Sequence, residues 1–246
     1  MLFRSICDDG RKHAESCRLI ALEALSSTLT EIAIELQLPL SSTQTDTLLA
    51  YLALLQRWNA TYNLTSVRDA PSMLVQHLAD CLAVIKPLQR GVLEQAASQP
   101  RLLDVGSGGG LPGAVIAVMC PDIAVVCVDT VGKKAAFVRQ AAGELKLRNL
   151  QAEHARVEAL KLPPFDVVTS RAFASLADFV NLTRAHVAPN GSWMAMKGKL
   201  PEAEMAALPA HVEVFHVEHL TVPRLNADRC LVWMKPVPSS SIAISV

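Results

Sequence analysis

No stretch of this sequence approaches the roughly 18 uninterrupted apolar residues that a membrane-spanning helix needs. The apolar run at 114–120 is cut at once by Pro121 and Asp122. Near the N-terminus, Arg4, Asp8, Asp9, Arg11 and Lys12 stand where a secretory leader would carry its apolar core, so no leader is expected there. Six cysteines are present, Cys7, Cys17, Cys81, Cys120, Cys127 and Cys230, and none falls in C-x-x-C spacing. Several sit in apolar runs, which argues for reduced core thiols and against a disulfide scaffold or zinc site. An excess of charge is missing too, since 23 Lys plus Arg face 23 Asp plus Glu. A free nucleic-acid binder is usually basic overall. Any RNA contact must therefore come from a local patch, or be shared with other components of an assembled particle. Internal repeats and long low-complexity tracts are absent. These absences point to a cytoplasmic protein that does not associate with a membrane.

Core-forming material is plentiful. Apolar residues make up 51% of the 246, enough for one sizeable domain with an appendage. Residues 1–27 mix charged and apolar side chains without a clear period, so they are set apart as an extension of undefined structure. From 28 to 98 the pattern predicts a helical lead-in domain. Leu48, Leu49, Leu52, Leu55 and Trp58 recur at three- and four-residue steps and form one stripe. After a break at 63–68, Asp69 is placed to cap a new helix that begins near Pro71 and carries Leu74, His77, Leu78, Cys81, Leu82 and Ile85. Pro87 and the Gln/Ser-rich stretch 94–100 mark the join to the next region.

Over 99–236 short apolar runs alternate with helical segments. Strands are predicted at 101–105, 123–129, 149–154, 165–170 and 191–196, with helices at 113–119, 132–145 and 176–187 between them. Such alternation marks a parallel sheet covered on both faces, an α/β fold. Strand-like runs at 212–220 and 230–235 predict an antiparallel pair closing one edge. Residues 237–246 read as a loose tail.

The chemistry concentrates where the first strand turns into the first helix of this region. Asp104, Gly106, Gly108 and Gly110 form an acidic-x-G-x-G-x-G pattern, followed by Leu111, Pro112 and Gly113. Glycines there let the chain turn sharply and let a ligand approach the backbone. A dinucleotide site asks for G-x-G-x-x-G directly after the strand. Counted from Gly106 that pattern fails at Leu111; shifted to Gly108, Gly110 and Gly113 it fits, but no longer directly follows the strand. An acidic residue at Asp104 suits the methionine end of a cationic cofactor such as S-adenosylmethionine (SAM) and has no evident task beside a pyrophosphate. Asp129 ends the second strand at about the 20-residue offset where a carboxylate receives ribose hydroxyls. That feature supports a nucleoside cofactor without choosing between the two.

A family resemblance emerges from several blocks in order. They are Leu102 to Gly113; Asp129 with Gly132, Lys133 and Lys134; Arg156, Val157 and Glu158; Phe165 to Ala174; and Met196, Lys197 and Gly198. Upstream stand Arg57, Trp58, Asn59, Ala60, Thr61, Tyr62, Asn63, Leu64 and Thr65, then His77 and Asp80. Together these blocks resemble the bacterial RsmG/GidB family of small-subunit rRNA guanine-N7 methyltransferases, over about 29–235. The resemblance implies a seven-stranded, Rossmann-like SAM-dependent methyltransferase sheet behind a small N-terminal helical domain. It implies SAM as cofactor and one guanosine N7 of 16S rRNA, in the decoding-region loop of the small ribosomal subunit, as acceptor. Matching positions imply cofactor contacts at Gly106, Leu111, Val157, Glu158 and Arg171. Gly109 stands where some relatives have Pro or another residue.

Guanine N7 already offers an in-plane lone pair, so its methylation needs no general base. No Asn-Pro-Pro-Tyr-like segment follows the fourth strand; Ser170, Arg171, Ala172 and Phe173 stand there instead. Arg171, Phe173 and Lys197 are the candidates for positioning the acceptor. Arg171 suits a phosphate, the guanine, a cofactor carboxylate or a structural ion pair; Phe173 suits stacking on the base or core packing. Lys133, Lys134, Arg139, Lys197 and Lys199 are candidates for a local phosphate patch. Trp58 is expected to dock on the second region and His77 to be a hydrogen-bonded core residue. His211, His216 and His219 lack the partners of a metal site, so no metal is expected. A monomer is favoured.

Overall fold

The computed structural model describes residues 3–93, 99–171, 173 and 175–237. Residues 94–98 of the expected join and 238–246 of the expected tail lie outside them. The helical region begins with α1 (Phe3–Glu35), followed by α2 (Ser42–Tyr62). Ser41 caps α2 reciprocally: its hydroxyl accepts from the Gln44 backbone at 3.2 Å, and the Gln44 side chain accepts from the Ser41 backbone at 2.9 Å. Asn63, at φ 50°, ends the helix in the left-handed conformation. Asp69 accepts from Ser72 N at 2.8 Å and starts α3 (Ala70–Met73) around Pro71, the cap read from the sequence. The backbone then widens to a π-helical turn over Leu74–Ala79, and returns to α4 (Asp80–Leu82) and α5 (Ile85–Leu93).

Seven strands follow: β1 (Arg101–Val105), β2 (Ala124–Asp129), β3 (Leu150–His154), β4 (Phe165–Ser170), β5 (Val187–Lys197), β6 (Val212–Leu220) and β7 (Arg229–Pro236). They are interleaved with α6 (Gly113–Met119), α7 (Gly132–Glu144), α8 (Leu176–Thr183) and α9 (Glu202–Ala206). One sheet holds them in the order β3-β2-β1-β4-β5-β7-β6. The first five strands are parallel, and β7 inserts antiparallel between β5 and β6. This is the seven-stranded architecture that the resemblance implies. The strand order reverses between β1 and β4, and ligands bind outside the carboxyl ends of strands at such a point.

Side chains alternate along the strands, and both faces of the central strands β1, β2, β4 and β7 are buried. Leu102, Val125, Cys127, Val167, Met194 and Leu231 join one apolar cluster with Leu48, Leu52, Leu55, Leu78 and Ile85 of the helical region. Leu103, Val105, Val128, Val168, Trp193 and Val232 join a second cluster with Leu176 and Phe179 of α8. The helical region thus shares its core with one face of the sheet. Cys81, Cys120, Cys127 and Cys230 are buried free thiols. The side chains of Cys7 and Cys17 lie outside the described part of the chain. Among the described residues no helix is long and apolar enough to cross a membrane.

The extent of three elements differs from the sequence reading, and α9 was not expected. Residues 3–35 form one continuous helix, where no period was legible over 1–27. Leu19, Ile20 and Leu22 are exposed on it, and Leu29, Ile32 and Ala33 near its end are buried. The helix at 176 stops at Thr183 and passes through a 3₁₀ turn, Arg184–His186, rather than running to 187. Strand β5 therefore starts at Val187, before Pro189 and Gly191. Gly191 permits this, because a Cβ there would lie 2.8 Å from the carbonyl oxygen of Phe165.

Candidate functional site

At the reversal point the chain leaves β1 through Gly106, Ser107 and Gly108. Gly106 N and Ser107 N donate to the carbonyl of Val128 at 2.9 and 3.2 Å, tying the turn to the end of β2. Gly106 and Gly108 adopt φ of 68° and 59°, which side-chain-bearing residues rarely adopt. A Cβ at either would meet nothing within 4 Å, so open space lies over the backbone. Gly110 also turns with a positive φ, 82°, and its Cβ would sit 3.0 Å from Val138 of α7. A Cβ on Gly113 would lie 2.5 Å from Cys127 Sγ, so glycine lets α6 settle against the sheet.

The two acidic candidates fasten this turn. Asp129 accepts from Gly108 N at 2.9 Å through Oδ2 and from Val131 N at 2.8 Å through Oδ1. Each oxygen keeps a further lone pair for a ligand hydroxyl. Asp104 is fully buried and accepts from Gly113 N at 2.8 Å through Oδ2. Its Oδ1 has no hydrogen-bond partner. Burial pushes this carboxyl up to about 7. An orphaned buried oxygen beside an open glycine turn fits a ligand that brings a cationic donor, as the amino-acid end of SAM does.

Helix α2 and the loop after it roof the turn. The Tyr51 hydroxyl donates to the carbonyl of Gly109, and Trp58 packs edge-on against Phe137 of α7 with ring centroids 5.6 Å apart, the docking expected of it. Buried Asn59 shapes the loop, donating to Val67 O at 2.8 Å and accepting from Thr65 N at 2.9 Å. The result is a cavity of about 180 Å³ lined by the turn, Leu111, Leu55, Leu64, Thr65, Lys134 and Arg171.

Arg171 also lines a second cavity of about 360 Å³, with Gln76, His77, Asp80, Lys197 and Arg229. Buried Asp80 meets Arg229 Nε at 2.7 Å through one oxygen and Arg171 at 3.5 Å through the other. The π-helical turn presents the Gln76 carbonyl to Arg171 at 3.4 Å and the His77 ring at 3.5 Å. Burial, then the Arg171 charge, hold the His77 pKa below its ordinary value. His77 also hydrogen-bonds Thr65 at 2.8 Å, as a core histidine should.

Other candidates are placed differently. Lys197 lines the outer cavity but pairs with Glu204 at 2.8 Å. Phe173 packs against Phe179, with centroids 5.3 Å apart. Val157 is buried in the second core and Glu158 is exposed beside Asn181 and Arg184; neither lines the inner cavity. Arg139 donates to the Ala152 carbonyl, Lys133 is exposed, and Lys199 lines a separate groove beside β6. The five cations expected to form one patch are thus dispersed. Tyr51, Asn59, Thr65, Asp80 and Arg229 were not singled out for the site. Asn59, Thr65 and Asp80 stood inside blocks that resemble the family; Tyr51 and Arg229 gave no signal.

Comparisons with known proteins assign the family. Residues 44–232 match the model of the family described as GidB, rRNA small subunit methyltransferase G. The ribosomal RNA small subunit methyltransferase G of Leptothrix cholodnii is 64% identical over 199 residues, covering 80% of this chain and 89% of that protein. The protein of the same name from Methylibium petroleiphilum is 58% identical over 212 residues, covering 86% and 95%. A solved SAM-dependent methyltransferase from Aquifex aeolicus aligns with a TM-score of 0.49 at 16% identity, over 67% of this chain and 93% of that one. By family match, identity and coverage, the chain belongs to the rRNA small subunit methyltransferase G family.

Proposed function

We propose that the chain transfers a methyl group from SAM to N7 of a guanosine in 16S rRNA. One observation carries the reading: two adjoining cavities share Arg171 as a wall, one over the open glycine turn and one at the carboxyl edge of the sheet. The inner cavity receives the cofactor, with Gly106 and Gly108 as its floor, Asp104 toward the ammonium and Asp129 toward the ribose. Gly110, Leu111 and Arg171 remain cofactor contacts in this reading, and Val157 and Glu158, which stand outside the inner cavity in the turn that follows β3, would take the part of the cofactor that extends beyond it. The outer cavity receives the guanine.

Bound SAM supplies a methyl group already activated on a sulfonium sulfur. The N7 lone pair needs no proton removed, so the chain's own task is to hold N7 in line with the methyl and to exclude water. Arg171, Arg229 and Lys197 give the outer cavity charged walls rich in donors. Guanine O6, beside N7, is an acceptor, whereas adenine presents an amino group there. Phe173 packs against Phe179 and does not line this cavity. The chain's electrical neutrality favours an assembled or partly assembled small subunit over naked RNA, because counterion release adds little. Labelled SAM supplied with unmethylated small subunits, free large subunits and naked 16S rRNA tests this reading. Label should enter small subunits chiefly, and digestion should yield N7-methylguanosine.

A further inference from the structure

Thr65 is a polar side chain of the roof whose hydrogen-bonding direction follows the tautomer of His77. Arg171 carries donors only, and its Nη1 lies 3.5 Å from His77 Nδ1. A proton on Nδ1 would face the guanidinium, donor against donor. In the tautomer in which Nδ1 accepts from Arg171, the ring proton sits on Nε2, which donates to Thr65 Oγ1 at 2.8 Å. Val67 N also donates to Oγ1, at 3.2 Å. Both lone pairs of the hydroxyl are then used, and its own hydrogen remains to donate. Thr65 is half-buried and lines the cavity over the glycine turn.

The rest of that cavity is built for an anionic group at the same place. Lys134 and Arg171 line it, and both hold their own carboxylate partners at long range, 3.9 Å to Asp129 and 3.5 Å to Asp80. Charge-assisted bonds close to about 2.7–2.9 Å, so both cations retain donors for a ligand. Two residues before Gly106, and outside the lining, the unpartnered Oδ1 of Asp104 is the acceptor that the proposed function assigns to the ammonium. A zwitterionic amino-acid group matches both signs.

We propose that the Thr65 hydroxyl donates a hydrogen bond to the α-carboxylate of bound SAM, with His77 as the positioning residue that sets its direction. The proposal rests on the inner cavity being the cofactor site. It assigns the loop after α2 a direct part in cofactor recognition, beyond roofing the cavity.

Calorimetric titration of the full chain with SAM and with decarboxylated SAM, which keeps the sulfonium and the amine but lacks the carboxylate, provides the test. Thr65→Val should weaken SAM by about ten- to a hundredfold, as for a lost hydrogen bond to a charged group. It should leave the decarboxylated analogue within about twofold of the unmodified chain, and Thr65→Ser should bind SAM normally. Thr65→Ala serves the same comparison where the valine variant does not fold. Equal losses for both ligands, or no loss for SAM, would overturn the proposal while leaving the cofactor site intact. Failure of the unmodified chain to bind SAM at all would overturn the site reading together with it.

Discussion

Asp104 should make the ligand-free protein less stable above neutral pH than it needs to be. Its carboxyl is fully buried, one oxygen has no partner, and its pKa rises from 3.8 to about 7, chiefly through desolvation by burial. The sign follows from linkage: the folded chain holds this proton more tightly than the unfolded chain. Its contribution is fully present below about pH 3.8 and is lost as pH rises through about 7. A displacement of that size corresponds to ~4 kcal/mol. Asp104→Asn keeps an oxygen for Gly113 N and removes the charge, though its amide, left unpaired, costs about 1–3 kcal/mol. Without ligand, the Asn variant should therefore gain on the unmodified chain by several kcal/mol between about pH 4 and pH 7, then hold level. By pH 8 its net advantage should be ~1–3 kcal/mol, at roughly 2–4 °C in melting temperature for each kcal/mol. Thermal melts from pH 5 to pH 8, with and without SAM, read this directly. SAM should raise the melting temperature of the unmodified chain and have little effect on the variant. A stability difference between the two chains that stays constant with pH would refute the reasoning.

Other perturbations separate the turn from its roof. Gly106→Arg should abolish SAM binding in calorimetry while circular dichroism shows a folded chain, because no atom lies within 4 Å of the added Cβ and the left-handed backbone costs only about 1–2 kcal/mol. Tyr51→Phe leaves the buried carbonyl of Gly109 without its donor and should lower stability in urea by about 1–3 kcal/mol. Single-turnover methyl transfer at saturating cofactor should stay nearly flat from about pH 6 to 9, since an N7 acceptor needs no base; a rate rising tenfold per pH unit would point to an amine or hydroxyl acceptor.

The sheet was legible because its central strands are buried on both faces and its turns carry strong signals. Asp104 through Gly113, the Asp129 strand end and the Asp69 cap all stand where local chemistry alone places them. The start of helix α1 was not legible from an apolar stripe; Leu19, Ile20 and Leu22 on it are exposed, and its buried residues Leu29 and Ile32 come only near its end. Half of the site was hidden for another reason. The Asp80 clasp joins α4, the end of β4 and the start of β7, and no spacing along the chain reports that Arg171 and Arg229 meet one carboxylate. The basic patch failed in the same way: lysines close in sequence order went to Asp129, to Glu204 and to solvent.

The central claim is the chemical identity of the product in the cell. Nucleoside analysis of 16S rRNA from cells with and without this protein tests it most directly. The account predicts that N7-methylguanosine falls by one residue per small subunit when the protein is absent and returns when it is restored. It also predicts that a chain carrying Gly106→Arg restores nothing. Unchanged N7-methylguanosine with loss of a different methylated nucleoside would contradict the account.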